Sequence, residues 1–228
     1  MRDNRLLTCA KLVKGNKAVD VGTDHGYLAV YLVENGICSS VVACDINEKP
    51  LESARRTVSL AGLQDKIEVV QSDGLDNVNK DGVTDVIMAG MGGELIVKLI
   101  DKCGWLKDKE RPVNLVLQAM TKSQTLRKWL YDNGFYITRE LACRDKGYVY
   151  SVMQVEYTGV TPEYDDDGRY LYGGRIDIHD EIGYEYLKRQ AQRLRKAGGG
   201  MMKSDDKKEY GEWLLHVADD LMRGDSDG

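Results

Sequence analysis

The sequence predicts an α/β fold with a mostly parallel sheet, a terminal antiparallel hairpin and a small C-terminal helical hairpin. Short apolar runs alternate with amphipathic segments of helical spacing through the first half of the chain. Two β-rich runs, Tyr136–Cys143 and Val149–Tyr157, follow with only Arg144–Tyr148 between them, too few residues for a crossover helix. Two amphipathic segments, His179–Ala197 and Ser204–Met222, then predict an αα-hairpin.

The alternating part predicts five strands and five helices, most of them ended by glycine. The predicted strands are Ala18–Gly22, Ser40–Ile46, Ile67–Gln71, Thr84–Ala89 and Val113–Gln118. The predicted helices are Arg5–Val13, Tyr27–Asn35, Glu48–Ala61, Glu94–Cys103 and Lys122–Asn133.

We expect one domain over residues 1–157. Residues 158–228 should form a linker, with a polar loop at Asp165–Arg169, and the helical hairpin. Gly198–Gly200 should separate the two helices of that hairpin, with Ser204 as the N-cap of the second helix.

Composition narrows the function classes. The 228 residues carry a net charge of −5, which argues mildly against nucleic acid as a partner, although a local basic face would be compatible with it. The five cysteines are scattered, with no C-x-x-C pair and no histidine cluster near them, so no metal site is expected. No apolar run of membrane-spanning length and no signal peptide are found, which predicts a cytoplasmic protein.

Asp20–Gly26, with the sequence DVGTDHG, is the first candidate ligand loop, between the first strand and its helix. Gly22 allows a ligand to approach the backbone, and the helix N-terminus points its N–H groups at the same space. The spacing is G-x-x-x-G instead of the dinucleotide G-x-G-x-x-G. Asp24 would repel a pyrophosphate but would accept a sulfonium cation, which favours S-adenosylmethionine over a nicotinamide cofactor. A purely structural turn is the alternative.

Two further acids follow the next two strands. Asp45 stands where a carboxylate accepts hydrogen bonds from ribose hydroxyls, and Ile46 beside it would lie against an adenine. Asp73, in Ser72–Leu75, would meet the adenine amino group. The alternatives are a helix N-cap for Asp45 and an ordinary Asp-Gly turn for Asp73. All three loops fall at the carboxyl ends of adjacent strands, where open α/β sheets bind ligands.

The fourth strand is followed by a glycine-rich segment, Met88–Glu94, with the sequence MAGMGGE. It lacks the Asn/Asp-Pro-Pro-Tyr motif that many amino-methylating enzymes carry at this place. Its glycines would let a substrate approach the backbone, and a plain loop that opens a helix is the equal alternative.

These strings together resemble the bacterial TrmK family of tRNA (adenine-N1)-methyltransferases, which modify the adenine at nucleotide twenty-two. The resemblance covers roughly residues 1–157 and rests on Asp20–Leu28, Ala43–Ile46, Ser72–Leu75, Ala89–Gly93, Leu117–Gln118 and Leu126–Leu130. The chain departs from the family at Gly26, where an alanine is frequent, and at Leu117–Met120, where Leu-Gln-Pro-Asn is frequent.

The resemblance implies a class I methyltransferase (Rossmann-like) sheet, S-adenosylmethionine as cofactor and tRNA as substrate. Asp24 and Tyr27 are the candidate catalytic residues. The candidate cofactor-binding residues are Arg5, Asp20, Gly22, Thr23, Asp24, His25, Gly26, Tyr27, Asp45, Ile46, Asp73, Gly74, Ala89 and Gly90.

Adenine N1 attacks a methyl group through its in-plane lone pair, so alignment is the main requirement. Asp24 would stabilise the cationic product or accept its proton, or else only position the cofactor. Tyr27 or His25 would contact the extruded base. Candidate tRNA contacts near the pocket mouth are Arg2, Arg5, Lys11, Lys14 and Lys17. Those on the first tail helix are Lys188, Arg189, Arg193, Arg195 and Lys196, with a solvated face as the alternative.

We expect a monomer or weak dimer. Three rival functions share parts of the pattern. They are a methyltransferase that acts on a small molecule or protein, a non-catalytic RNA-binding protein with a vestigial pocket, and a nicotinamide-dependent reductase, which Asp24 and the hairpin disfavour.

Overall fold

A computed structural model describes residues 1–161 and 168–223 and contains one seven-stranded sheet in the order β3-β2-β1-β4-β5-β7-β6. The strands are β1 Lys17–Val21, β2 Ser40–Asp45, β3 Ile67–Gln71, β4 Asp85–Gly92, β5 Asn114–Thr121, β6 Phe135–Asp145 and β7 Tyr148–Tyr157. β1 to β5 are parallel to one another, and β7 is inserted antiparallel between β5 and β6. The predicted parallel sheet with a terminal antiparallel hairpin is confirmed.

Helices cover both faces of the sheet, which is why its strands are almost continuously apolar. In chain order they are α1 Asn4–Ala10, α2 Tyr27–Glu34, α3 Glu48–Leu60, α4 Gly93–Lys102, α5 Ser123–Asp132, α6 Arg169–Tyr172, α7 Glu181–Met201 and α8 Lys208–Asp220. One core lies between the sheet and α4 and α5, around Ile96 and Leu126. The other lies between the sheet and α1, α2 and α3, around Leu12 and Leu32.

Among the element boundaries that differ from the prediction, those of α1 and β4 have local reasons. α1 ends at Ala10 rather than Val13, because the buried Asp85 carboxylate accepts the N–H groups of Lys14 and Gly15 and directs the chain into β1. β4 continues to Gly92, since its pairing with β5 resumes after an irregularity at Gly90. The glycine segment after the predicted fourth strand is therefore partly sheet.

The C-terminal helical hairpin forms, but its predicted joint is wrong. Gly198–Gly200 does not break α7, which continues to Met201. A Cβ on Gly198 would lie 2.7 Å from the carbonyl oxygen of Gly211, so this glycine allows α7 and α8 to pack closely. The turn comes later, at Met202–Lys207.

Two smaller predictions in the tail also need correction. Ser204 makes no side-chain cap and precedes a 3₁₀ turn, Asp205–Lys207, while α8 begins at Lys208. In the predicted loop Asp165–Arg169, residues 165–167 lie outside the described residues, and Arg169 begins α6.

A buried ion pair, absent from the sequence predictions, joins the C-terminal helices to the sheet. Arg127 of α5 donates from Nη2 to Glu140 Oε1 at 2.6 Å and to the Tyr186 hydroxyl at 2.9 Å, and from Nη1 to the Leu171 carbonyl at 2.7 Å. Both charged side chains are fully buried. Removal of either partner would leave the other charge buried without a counter-charge. The ion pair therefore fixes the position of α6 and α7 on the sheet.

All five cysteines are buried and unpaired, as expected of small apolar core residues. Over residues 1–161 and 168–223, no helix is long and apolar enough to cross a membrane. In the same residues, no group of three or more His, Cys, Asp or Glu side chains is arranged to hold a metal ion.

Candidate active site

The predicted ligand loops meet at the edge of the sheet formed by the carboxyl ends of β1 to β4. The N–H groups of Gly22 and Thr23 both donate to the carbonyl of Cys44, at 2.8 and 3.0 Å. The N–H of Ser72 donates to the carbonyl of Asp45 at 2.9 Å. These bonds hold the loops after β1, β2 and β3 side by side, as the sequence analysis expected.

The Asp20–Gly26 loop turns through two left-handed glycines, Gly22 with φ +75° and Gly26 with φ +69°. Gly26 is also confined from the side, since a Cβ there would lie 3.2 Å from the Cα of Ala54 in α3. Between the glycines, the loop presents Asp24, 79% exposed, whose Oδ2 is 3.2 Å from His25 Nε2. The result is a tight loop with a carboxylate at its rim.

His25 and Tyr27 extend that rim. Their ring centroids are 5.3 Å apart, and Tyr27 is 54% exposed although it begins a helix packed on the core. An exposed pair of rings beside a carboxylate suits contact with a planar, cationic group.

Asp20, at the base of this loop, differs from the other acids because it is buried. Burial raises its pKa to about 6, the nearby Thr23 side chain opposes that rise, and the nearby charge of Asp45 adds to it. A cation placed over the loop would favour the charged form of this carboxyl group.

Asp45 ends β2 with one oxygen occupied and one available. Its Oδ1 accepts the Asn47 N–H at 2.7 Å, while Oδ2 accepts no hydrogen bond from the residues that the structure describes. The N-cap residue of α3 is Asn47, so the alternative of Asp45 as the helix cap does not hold. Ile46 beside it is 57% exposed at the same edge, as an apolar surface for a ring requires.

Asp73 lies at this edge in a different environment. Its Oδ2 accepts from Lys102 Nζ at 3.0 Å, an ion pair that the sequence analysis did not foresee. Gly74 has φ +61°, and a Cβ there would lie 2.7 Å from Leu99, so the Asp-Gly turn packs directly on α4. The turn explanation of this motif is thus satisfied. The Asp73 side chain is 56% exposed, and its Oδ1 accepts no hydrogen bond from the residues that the structure describes.

The segment after β4 opens the opposite side of the site. Gly90 has φ +82° at the irregularity in the β4–β5 ladder, and its N–H donates to Gln118 Oε1 at 3.0 Å. A Cβ on Gly90 would meet only the Nη1 atom of Arg5, 3.9 Å away. Ala89 is half-buried and Gly90 exposed, so this backbone borders open space.

Arg5, from α1, borders the open space beside Gly90. Its Nε and Nη2 donate to Asp3, at 3.2 and 2.6 Å, and its Nη1 donates to Met120 Sδ at 2.9 Å. Its guanidinium carbon lies 5.6 Å from the centre of the Tyr150 ring. Burial acts to lower the pKa of Arg5, but Asp3 and Asp145 raise it above its ordinary value.

Sequence reasoning missed four residues of this region: Asp3, Gln118, Met120 and Asp145. Gln118 occurs in a string that carries the resemblance, and the β5 strand end was the available signal for it. Asp145 contacts Arg5 across 140 positions of sequence, which no local pattern reveals.

The expected tRNA-contacting cations are only partly at the site. Lys14 and Lys17 were expected near the pocket mouth, and this is wrong. Lys17 begins β1, and the backbone of Lys14 is bound to Asp85 at the start of β4, so both lie at the opposite edge of the sheet.

The cations of α7 divide into two groups. Arg189 pairs with Glu185 and Arg195 pairs with Asp219. Within the described part of the chain, Lys188, Arg193 and Lys196 form no ion pair, although Lys188 lies over the Tyr184 ring.

Comparisons with known proteins agree with this geometry. Residues 2–153 match a family model described as a methyltransferase domain. The tRNA (adenine(22)-N(1))-methyltransferase of Bacillus subtilis (strain 168) is 35% identical over 198 residues, which is 83% of this chain and 80% of the relative.

A crystal structure from Streptococcus pneumoniae, assigned as a tRNA (m1A22) methyltransferase, superposes with a TM-score of 0.85 at 28% identity. It covers 98% of this chain and all of its own. A structure of the same protein in complex with S-adenosyl-L-methionine superposes at 0.77 and 27% identity, over 96% of this chain and 98% of its own.

The strand order, the inserted antiparallel strand and the matching methyltransferase-domain model define a class I methyltransferase. Within that class, the chain belongs to the tRNA (adenine(22)-N1)-methyltransferase family, which confirms the resemblance to TrmK.

Proposed function

We propose that this protein transfers a methyl group from S-adenosylmethionine to N1 of adenine 22 in tRNA, the reaction named for its Bacillus subtilis relative. One observation carries the proposal. In a chain of this family, a loop with an exposed carboxylate, Asp24, lies at the same sheet edge as the open backbone at Gly90. The two features supply a place for a cationic cofactor and a place for its acceptor.

The residues present fit S-adenosylmethionine. The available Oδ2 of Asp45 suits a ribose hydroxyl, and exposed Ile46 suits one face of the adenine. Asp20 and Asp24 provide negative charge for the ammonium and sulfonium groups, while a pyrophosphate would be repelled there. The proposed cofactor-binding set is Arg5, Asp20, Gly22, Thr23, Asp24, His25, Gly26, Tyr27, Asp45, Ile46, Asp73, Gly74, Ala89 and Gly90.

The chemistry needs alignment more than acid–base work. The cofactor supplies an electrophilic methyl group on sulfur, and adenine N1 is nucleophilic without prior deprotonation. The protein therefore has to hold N1 in line with that methyl group, which is catalysis by proximity. Gly90 and Arg5 border the space in which the extruded base would lie.

Asp24 and Tyr27 are proposed as the catalytic residues. Methylation at N1 leaves the adenine cationic until its exocyclic amine loses a proton. The Asp24 carboxylate, exposed at the rim, would stabilise that charge or accept the proton. Tyr27, with its ring 5.3 Å from His25, would contact the base or the methyl donor through its face.

The finer features of the partner are part of the same proposal. We propose tRNA contacts at Arg2 and Lys11 and at three cations of α7 that form no ion pair with any residue the structure describes: Lys188, Arg193 and Lys196. Surface cations free of protein carboxylates are available for phosphate. We propose that the protein is located in the cytoplasm, where tRNA is found. We also propose that it acts as a monomer or weak dimer.

The test is methyl transfer from labelled S-adenosylmethionine with three acceptors offered in parallel: bulk tRNA, a metabolite extract and a protein extract. We expect label in tRNA alone, lost when the tRNA is digested with ribonuclease before the assay. Label in metabolites or protein, with none in tRNA, would assign the chain to a methyltransferase of a different substrate class.

A further inference from the structure

Asp145, the last residue of β6, is hydrogen-bonded to the first turn of α1. Its side chain is buried, and its Oδ1 accepts the backbone N–H of Asn4 at 3.1 Å. Asn4 returns a bond from its side-chain amide to the carbonyl of Arg144 at 2.8 Å. The end of the β6–β7 hairpin and the start of α1 are therefore joined by two hydrogen bonds.

The second oxygen of Asp145 faces Arg5. Its Oδ2 lies 3.9 Å from Arg5 Nε. The same guanidinium donates hydrogen bonds to Asp3 and to Met120 Sδ. With the Tyr150 ring 5.6 Å away, groups from α1, β5, β6 and β7 surround this side chain. Arg5 is thereby held with Nη1 toward the open space at Gly90.

The charges in this cluster have a consequence for the reaction. One guanidinium lies between two carboxylates, Asp3 and Asp145, so the cluster is net negative. Both the methyl donor and the methylated adenine are cationic. A guanidinium without these partners would repel both, and the repulsion is strong where water is scarce.

The turn that carries Asp145 is itself fixed from the other side. Arg144 binds Glu185 of α7 through Nε at 2.9 Å, and Arg189 of α7 donates to the Gly147 carbonyl at 3.1 Å. The hairpin end is held between α7 and α1, which gives Asp145 a fixed place from which to act.

We propose that Asp145 is a positioning residue for methyl transfer, which acts by holding Arg5 and offsetting its charge beside the reacting groups. The inference rests on the proposed function, because it assigns Arg5 to the target-base side of that site. It predicts that loss of the Asp145 charge slows turnover more than it weakens cofactor binding, without loss of folding.

The variant Asp145→Asn tests this, because it keeps an oxygen for the Asn4 N–H and replaces the charged oxygen that faces Arg5 by an uncharged amide nitrogen. We expect kcat for tRNA methylation to fall by about tenfold to a hundredfold, as for a misplaced active-site group. The dissociation constant for S-adenosylmethionine should rise by a smaller factor than kcat falls, since Asp3 still offsets the charge of Arg5 and the cofactor contacts proposed at Asp45 and Ile46 remain. The matched control is Glu156→Gln on β7. It removes a carboxylate that forms an exposed ion pair with Lys14, and it should leave kcat and the dissociation constant unchanged.

A double-mutant cycle with Arg5→Met separates positioning from general structural damage. If Asp145 acts through Arg5, Asp145→Asn should cause no further loss of kcat in the Arg5→Met protein. Full additivity of the two losses, or an unchanged kcat in Asp145→Asn alone, would overturn the proposal.

A second measurement does not depend on activity. In protein labelled with 15N-arginine, the Arg5 Nε–H resonance, assigned by its loss in Arg5→Met, should be sharp in the wild type and broadened or shifted in Asp145→Asn. An unchanged resonance would reject the positioning role even if the protein proved inactive on tRNA. Absence of tRNA methylation in the wild type, with the resonance responding as expected, would instead reject the proposed function.

Discussion

The N–H of Gly90 donates to the side-chain oxygen of Gln118, a fully buried amide on the neighbouring strand, at 3.0 Å. The same amide donates from Nε2 to the Ala119 carbonyl at 3.0 Å. Gln118 thus holds the irregular end of β4 in the shape that leaves Gly90 open to a ligand. Its role is to keep one border of the site in place.

Replacement of Gln118 should therefore affect stability and the site together. Gln118→Leu removes the hydrogen bond to the N–H of Gly90, which is exposed, at a net cost of about 0.5–1.5 kcal/mol for an ordinary hydrogen bond. Urea unfolding measures that cost, and turnover on tRNA should fall as the segment relaxes. Gln118→Glu, which keeps the acceptor oxygen, should retain more activity than Gln118→Leu. Equal activity in the two variants would contradict the role of this hydrogen bond.

Asp24 should matter for turnover more than for binding. Asp24→Ala removes the carboxylate proposed to stabilise the cationic product, so kcat should fall by about a hundredfold or more, in the range of general acid–base and electrostatic contributions. Calorimetry should show a smaller loss of S-adenosylmethionine affinity. Asp65→Ala, an exposed acid before β3 at the far edge of the sheet, is the control and should be unaffected. Equal losses in S-adenosylmethionine affinity and in kcat would show that Asp24 only binds the cofactor and would reject its catalytic role.

Asp20 predicts a pH dependence of stability in the cofactor-free protein. Its folded-state pKa, about 6, is raised by burial above the ordinary value of 3.8. The protonated form is therefore favoured by folding, and its stabilisation is fully present below pH 3.8 and lost as the pH rises through about 6. Asp20→Asn should stabilise the protein at pH 8 by up to about 3 kcal/mol, from 1.36 kcal/mol per pKa unit.

Urea unfolding at pH 4 and pH 8 measures this effect, and the gain should nearly vanish at pH 4. Cofactor affinity should also tighten in the wild type as the pH rises through about 6, because the charged carboxylate favours a cation. A pH-independent gain, or a flat affinity profile in the wild type, would contradict the assignment.

Two neighbouring glycines of α7 should respond in opposite ways to the same change. A Cβ at Gly198 would meet the Gly211 carbonyl at 2.7 Å, whereas one at Gly199 would meet nothing within 4 Å. Gly198→Ala should force α7 and α8 apart and cost about 1–3 kcal/mol, as overpacking does. Gly199→Ala should stabilise the helix by about 0.5–1 kcal/mol. Thermal unfolding of the two variants checks the pair, and the same sign of shift in both would contradict the packing.

The sequence predicted the sheet well because strand and helix periods differ and because loops between them were short. Residues 144–148 alone were enough to predict an antiparallel hairpin. The error at Gly198–Gly200 arose because glycine has a low intrinsic helix propensity. In the folded chain, the close approach of Gly211 requires a glycine at position 198 within the helix. Local propensity yielded to packing between helices.

The site was predicted in the same uneven way. Asp45 and the Asp20–Gly26 loop follow strand ends, which position alone identifies. Gln118 and Asp145 act on Gly90 and Arg5 across 28 and 140 positions, so only the folded chain brings them together. The error over Lys14 and Lys17 arose because residues near Arg5 in sequence lie beyond the sheet, at its opposite edge.

The central claim is methylation of one atom in one nucleotide. The direct measurement is mass spectrometry of a transcribed tRNA after incubation with the protein and S-adenosylmethionine, beside the same tRNA with guanine in place of adenine 22. The account predicts 1-methyladenosine at nucleotide 22 of the first tRNA and no methylation of the second. Equal methylation of both tRNAs, or none of either, would contradict it.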